Sequence, residues 1–290
     1  MPEASTSGTL VTVEQLRSHL EDPGWCVLDV RHDLMDVTAG RRAYDAGHIP
    51  GAAFASTDDD LSGAKTGRNG RHPLPGREDL VQTFRRWGVD DDTQVVAYDA
   101  QGGNFAVRLW WLARWLGHAR VAVLDGGWPV WLARTGLSST ERPTRMPGHF
   151  TERPSLMPLV EVDDIVRNLE SRERLVLDAR TPERYRGEQE PIDPVAGHIP
   201  GARNRPWQRN LNPDQTFKSP QSLRQEFEAA LGSRAPGQVA HQCGSGVTAC
   251  HNLLAMELAG LPGSALYAGS WSEWIADAAR PVAVGDEPAG

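Results

Sequence analysis

The chain has 290 residues, and 30 Lys and Arg against 38 Asp and Glu give a formal charge of −8. At about 150 residues per domain this length predicts two domains, and the acidic balance argues against a general nucleic-acid binder, which needs a basic face for phosphates. Apolar residues reach 39% with 29 glycines besides, enough for a packed core in each half, yet no apolar run nears the roughly 18 residues of a membrane span and the first residues carry no signal-peptide pattern.

Thr12, with Gln15 three residues on, predicts a capped helix reaching about His19. Trp25–Asp29 reads as a buried strand. Leu80, Val81, Phe84 and Trp87 are spaced for a helix over 77–87. Gln94–Tyr98 is a strand, Asn104–Leu116 a helix and Val121–Leu124 a strand. The stretch 137–158 holds Pro143, Pro147, Pro154 and Pro158, so it reads as an extended linker between a domain over 1–136 and another over 159–290. The second half then repeats the alternation: helix 162–169, strand 175–177, helix 222–231, strand 238–242, helix 249–259 and strand 265–267. Such alternation predicts an α/β fold, each half a mostly parallel sheet with helices on both faces. Ligands in such sheets sit beyond the carboxyl ends of the strands.

The halves are copies. Ala46-Gly-His-Ile-Pro-Gly-Ala52 recurs letter for letter as Ala196-Gly-His-Ile-Pro-Gly-Ala202. Val27-Leu28-Asp29 matches Val176-Leu177-Asp178, and Gly126-Gly-Trp128-Pro-Val-Trp131 matches Gly269-Ser-Trp271-Ser-Glu-Trp274. The order of landmarks is the same, which predicts a duplicated domain.

One position stands out chemically. The strand ending at Gln242 runs into Cys243-Gly244-Ser245-Gly246-Val247-Thr248 and then into a helix. Glycines let successive N–H groups turn inward as an anion nest. A helix terminus contributes about 0.3–1 kcal/mol toward an anion, whereas each charge-assisted bond from a loop N–H contributes about 1.5–3 kcal/mol. The nest, rather than the dipole, is therefore expected to hold a thiolate. Asp99 falls opposite Cys243 in the first half, so only the second half can do thiol chemistry.

On these motifs the chain, from about Val11 to Ile275, resembles the tandem rhodanese-domain sulfurtransferases, which act on thiosulfate or 3-mercaptopyruvate. The resemblance implies two rhodanese-like domains, the second catalytic. It implies that Cys243 attacks the outer sulfur of a small anionic donor, keeps it as a persulfide and passes it to a thiol, thioredoxin or cyanide. Gly244, Gly246, Val247 and Thr248 are the loop positions expected to cradle the substrate. Arg184, in Thr181-Pro-Glu-Arg184-Tyr-Arg-Gly187, matches the family arginine that binds the donor's anionic group. The mercaptopyruvate enzymes often place a second Arg after a nearby Glu-Pro, but here Glu190-Pro191 is followed by Ile192. Their relay of Asp, His and loop Ser corresponds to Asp58, His72 and Ser245. From Gly51 to Asp99 is 48 residues against 42 from Gly201 to Cys243, room for an extended loop. The thiosulfate enzymes usually carry basic residues directly after the Cys; Gly244 and Ser245 are neutral, which favours 3-mercaptopyruvate. No metal, organic cofactor, nucleic acid or membrane is implied as a partner, and the sparse cysteines suit a reducing cytoplasm.

Other readings stand beside these. A Cys-dependent phosphatase needs an Arg six positions after its Cys, and position 249 is Ala. A persulfide carrier without efficient turnover would have the same loop, and thiosulfate remains an alternative donor. A zinc site from His241, Cys243, Cys250 and His251 lacks a Cys-x-x-Cys knuckle. Cys26 reads as core. Cys250 reads as core too, with a resolving thiol as the alternative. His48, His198, Asp29 and Asp178 recur in both halves, so they read as structural. Asp58 also belongs to a run of three Asp that reads as a solvated charge cluster, and Arg184 could form only an ion pair.

Overall fold

Thr12 and Gln15 cap the first helix as expected: the Gln15 amide donates to Thr12 Oγ1 (3.2 Å) and the Thr12 amide to Gln15 Oε1 (2.9 Å). The computed structural model describes residues 9–286, and the chain forms two compact units. One comprises the chain up to Gly63, Pro75–Leu156 and Pro213–Phe217. The other comprises Ala64–Leu74, Met157–Asn212 and the chain from Lys218 on.

The first unit contains β1 (Leu10–Val11), α1 (Val13–Arg17), β2 (Trp25–Asp29), α2 (Ala39–Ala46), β3 (Ala53–Phe54), α3 (Arg77–Arg86), β4 (Gln94–Tyr98), α4 (Ala106–Trp115), β5 (Val121–Leu124) and α5 (Gly127–Thr135). The second contains β6 (Leu159–Val160), α6 (Val162–Ser171), β7 (Leu175–Asp178), α7 (Pro182–Arg186), β8 (Arg203–Asn204), α8 (Pro220–Leu231), β9 (Val239–Gln242), α9 (Ala249–Leu258), β10 (Ala265–Tyr267) and α10 (Ser270–Trp274). The sheets run β1-β5-β4-β2-β3 and β6-β10-β9-β7-β8, every neighbouring pair parallel. The central strands β4, β5, β7 and β9 are buried at every position. That is why β4, β5 and β7 read as largely apolar runs rather than alternating ones, while β9 ends on the buried polar pair His241 and Gln242.

The duplicated motifs make the same contacts in each unit. At the end of β2, Asp29 holds Arg31 through Nε (2.9 Å) and Nη2 (2.6 Å), and Arg31 Nη2 also donates to the Gly47 carbonyl (2.7 Å). At the end of β7, Asp178 holds Arg180 Nη2 at 2.6 Å, and Arg180 donates to the Gly197 carbonyl (2.8 Å). Each guanidinium lies 4.9 Å from a tryptophan ring, Trp128 or Trp271. His48 and His198 each place Nδ1 2.8 Å from a carbonyl, of Tyr44 and Tyr185, and stack on that tyrosine at 3.9 and 3.8 Å. A carbonyl only accepts, so Nδ1 carries the proton, and the Gly-His-Ile-Pro-Gly motif acts as a turn-builder. Trp131, Trp271 and Trp274 are buried core, while Trp128 is only partly covered.

The Pro-containing stretch is pinned along the first unit. The amides of Gly148, Phe150 and Arg153 donate to the carbonyls of Arg85 (2.8 Å), Val89 (3.1 Å) and Leu116 (2.8 Å). α2 was not visible in the sequence, because its apolar face amounts to Tyr44 with Gly40. A Cβ at Gly40 would lie 1.8 Å from the Arg31 carbonyl oxygen, so the helix packs by backbone approach instead of by an apolar stripe.

Candidate active site

Cys243 closes β9 and lies buried at the start of the loop to α9. Its position is fixed from both sides. Its amide donates to Ser270 Oγ (3.1 Å), and Ser270 Oγ donates on to the Tyr267 carbonyl (2.9 Å). The carbonyls of Cys243 and Gly244 accept from the amides of Trp271 and Ser272, both at 3.0 Å. In a trans peptide the C=O and N–H point in opposite directions, so the amides of Gly244 and Ser245 turn away from α10. Gly246 has φ +75°, and a Cβ there would stand 2.1 Å from the Ala268 carbonyl oxygen. Only glycine fits, and the loop bends tightly for that reason. Val247 is buried and Thr248 partly covered, where the loop enters α9.

The duplicate loop shows what this backbone is shaped to hold. β4 and β9 occupy matching places, Tyr98 opposite Asp29 and Gln242 opposite Asp178, so Asp99 is the counterpart of Cys243. The Asp99 carboxylate accepts four amide hydrogen bonds: from Gln101 (2.8 Å), Gly103 (3.0 Å), Phe105 (2.7 Å) and Ala106 (3.0 Å). In the first unit the strand-to-helix loop wraps a built-in anion.

Two predicted residues come together in the second unit. His72 Nδ1 and Ser245 Oγ are 2.8 Å apart and both are buried. Asp58 lies in the first unit, half-buried, with its carboxylate 3.9 Å from His32 Nε2. Arg184 sits at the site's edge and is not a loose surface cation. Glu190 takes its Nε (3.1 Å) and Nη2 (2.8 Å), and Asp193 takes Nη2 at 3.0 Å. Glu190 also accepts from the amides of Ile192 and Asp193, both at 3.1 Å, so this carboxylate orders the loop that carries Ile192. Burial pushes the Asp193 carboxyl above its ordinary range, with Glu190 adding to it and Arg71, Arg184 and Arg180 pulling against it. Burial opposes the charge of Arg180, but Asp178, Glu190 and Cys243 outweigh it and hold that guanidinium above its usual pKa.

Three residues here were not singled out from the sequence: Arg71, Asp193 and Ser270. Arg71 and Asp193 pair, Nη1 to Oδ1. Ser270 had a signal, since it replaces the second Gly of Gly126-Gly127-Trp128. It keeps the left-handed conformation of that glycine, φ 54° against 57°.

The other thiols and histidines are engaged elsewhere. Cys26 is fully buried, its Sγ 3.5 Å from the Trp87 carbonyl, and burial pushes its thiol up to about 11. Cys250 is buried with Sγ 3.4 Å from the Gly246 carbonyl oxygen, so it props the loop. His241 packs on Met256 Sδ at 3.2 Å, and burial pushes it down to about 3. His251 Nδ1 faces Asn210 Nδ2 at 3.0 Å.

The family model for the rhodanese-like domain matches residues 12–134 and again 161–277. A Pseudomonas aeruginosa protein named "Probable 3-mercaptopyruvate sulfurtransferase" is 47% identical over 284 residues, covering 97% of this chain and 100% of that one. The thiosulfate sulfurtransferase of Bos taurus is 35% identical over 268 residues, 90% of this chain and 89% of that one. The solved structure of 3-mercaptopyruvate sulfurtransferase from Leishmania major superposes with a TM-score of 0.82 at 27% identity, covering 94% of this chain and 75% of that one. Two matched copies, two like sheets and one cysteine-bearing loop place the chain in the rhodanese-like domain family, with the domain present in tandem.

Proposed function

We propose that the protein is a sulfurtransferase that moves a sulfane sulfur from 3-mercaptopyruvate through a persulfide on Cys243 to a thiol, thioredoxin or cyanide. The observation that carries this reading is the substitution within the duplicate. A carboxylate wrapped by four amides in one unit is replaced by a cysteine in the other. A loop with that ancestry suits a thiolate and then a persulfide anion.

The Cys243 thiolate attacks the mercapto sulfur of the donor. An S–S bond forms, the donor's C–S bond breaks, and its electron pair passes to the methylene carbon as the enolate of pyruvate. That carbon takes a proton and pyruvate leaves. A thiolate acceptor then removes the outer sulfur and returns Cys243 to its thiolate. Arg184 binds the donor carboxylate. Ser245 and His72, 2.8 Å apart, supply the proton. Thiosulfate would release sulfite, which leaves as a stable anion and needs no proton, so a buried proton-donating pair favours the mercaptopyruvate reaction. Asp58 joins the relay in this reading on the family resemblance alone.

Among the described residues no helix is long and apolar enough to cross a membrane. The three cysteines are free and buried, which suits work in a reducing cytoplasm. The test is a side-by-side donor assay with Ser245→Ala. The expected result is higher kcat/KM with 3-mercaptopyruvate and a loss in Ser245→Ala confined to that donor. Higher kcat/KM with thiosulfate would reverse the assignment.

A further inference from the structure

We propose that the first unit binds a small monocarboxylate of its own, held by Arg31 in a cavity beyond the carboxyl ends of β2 and β4. The proposal does not rest on the sulfur-transfer reading. It comes from setting Arg31 beside its duplicate, Arg180.

The two arginines are anchored alike, one by Asp29 and the Gly47 carbonyl, the other by Asp178 and the Gly197 carbonyl. They differ at Nη1. Arg180 Nη1 lies 3.4 Å from Glu190 Oε2, and both side chains are buried. Arg31 Nη1 makes no hydrogen bond among the described residues, although its side chain is only 8% exposed, and that nitrogen is not closed off from solvent. The chain lengths explain the difference. Tyr185 and His198 are 13 residues apart and Glu190 lies between them, whereas Tyr44 and His48 are 4 apart. The first unit has its extra length earlier, with 13 residues from Arg31 to Tyr44 against 5 from Arg180 to Tyr185. That earlier stretch supplies His32, Ala39 and Ala43 to a cavity of about 180 Å3 beside Arg31, and the loop after β4 supplies Gln101 and Phe105. His32 stands edge-on to Phe105, ring centres 5.0 Å apart.

The second unit shows which chemistry satisfies this edge of the guanidinium: a carboxylate oxygen. There one arginine carries two carboxylates, Asp178 and Glu190, so Asp29 does not exhaust Arg31. A free carboxylate in the cavity takes the place that Glu190 has in the duplicate, through a charge-assisted bond to Arg31 Nη1. Its short apolar body lies against Ala39, Ala43 and Phe105. Acidic neighbours limit the ligand's charge. Asp99 lines the cavity with its carboxylate already engaged by four amides. Asp33 is exposed beside it, with Oδ1 taking the amides of Met35 (2.7 Å) and Asp36 (3.2 Å). A second negative charge on the ligand would meet both, so a monocarboxylate is preferred to a dicarboxylate.

The test is titration of the 15N-labelled full chain with propionate, followed by the amide shifts of Ala43, Ala100 and Gln101. Saturable shifts are expected, with a dissociation constant on the order of millimolar, ordinary for so few ligand atoms. Propionamide has nearly the same shape without the charge and should bind at least tenfold more weakly, and succinate should also be weaker than propionate. Ala43→Leu fills the cavity while keeping the Arg31–Asp29 pair. It should weaken propionate at least tenfold, with the melting temperature and the rate of sulfur loading at Cys243 unchanged. The amides of Gly244 and Ser245 report on the second unit in the same spectra. Shifts confined to the second unit, equal binding of propionamide or succinate, or an unchanged constant in Ala43→Leu would each overturn the proposal. A wild type that takes no sulfur from either donor would sink the sulfur-transfer reading alone, because the propionate titration does not depend on turnover.

Discussion

Ser270 lets backbone strain be measured against its own internal control. It holds φ 54°, a left-handed conformation costing an L residue about 1–2 kcal/mol. Its counterpart Gly127 adopts φ 57° at little cost. What the second unit gains is the hydroxyl, which takes the Cys243 amide and gives to the Tyr267 carbonyl. Ser270→Ala keeps the strain, loses both hydrogen bonds and leaves a buried amide without its acceptor, a loss of about 2–3 kcal/mol. Ser270→Gly loses the same bonds but relieves the strain, so it should be more stable than Ser270→Ala by about 1–2 kcal/mol. Both variants free the backbone of Cys243, and a displacement of about 1 Å at a reacting group costs about a hundredfold in rate. Denaturant unfolding gives the stabilities, and rapid-quench mass spectrometry gives the rate of sulfur loading. Equal stability of the two variants, or loading at the wild-type rate in both, would refute the reasoning.

Gly246→Ala should be far worse than Gly103→Ala in the matching loop of the first unit. The first puts a Cβ 2.1 Å from a carbonyl oxygen, the second meets nothing closer than 3.6 Å. We expect a melting-temperature drop of roughly 5–10 °C for Gly246→Ala, and less than half that for Gly103→Ala. Asp99→Asn removes the charge from a nest of four amides and should cost about 2–3 kcal/mol by denaturant unfolding, while persulfide loading at Cys243 stays at the wild-type rate. His241 is held down to about 3 by burial, so the unfolded state, with an ordinary histidine near pH 6.5, takes up more protons below that pH. Its stabilising contribution is complete above about pH 6.5 and drains away as the pH falls toward 3, by up to about 1.4 kcal/mol per unit. Unfolding measured at pH 7 and pH 5 should show about 2 kcal/mol of this loss, and His241→Leu should remove that part of the slope.

The strands were legible because both of their faces are buried. Trp25–Asp29, Gln94–Tyr98, Val121–Leu124 and Ala265–Tyr267 have the bounds expected from their apolar runs. The edge strands β1, β3, β6 and β8 have two residues each, too few for any periodicity. At the site, Cys243 was legible from glycines that allow a tight turn, and His72 with Ser245 from the family resemblance. Arg71 was not, because one cation in an Arg68-Asn-Gly-Arg71 loop looks like an ordinary solvated charge. Only the packing of Ala64–Leu74 within the second unit brings it beside Gly244. Asp99 was read as the lack of a thiol, and its four amide partners give it the more useful meaning of an anion in the same cradle.

The most direct measurement is the mass of the intact protein after brief exposure to 3-mercaptopyruvate without an acceptor. One added sulfur atom is expected, located on Cys243 by peptide mapping, absent from Cys243→Ser and lost on adding a thiol. An unchanged mass with both 3-mercaptopyruvate and thiosulfate, or sulfur carried on Cys26 or Cys250 instead, would contradict it.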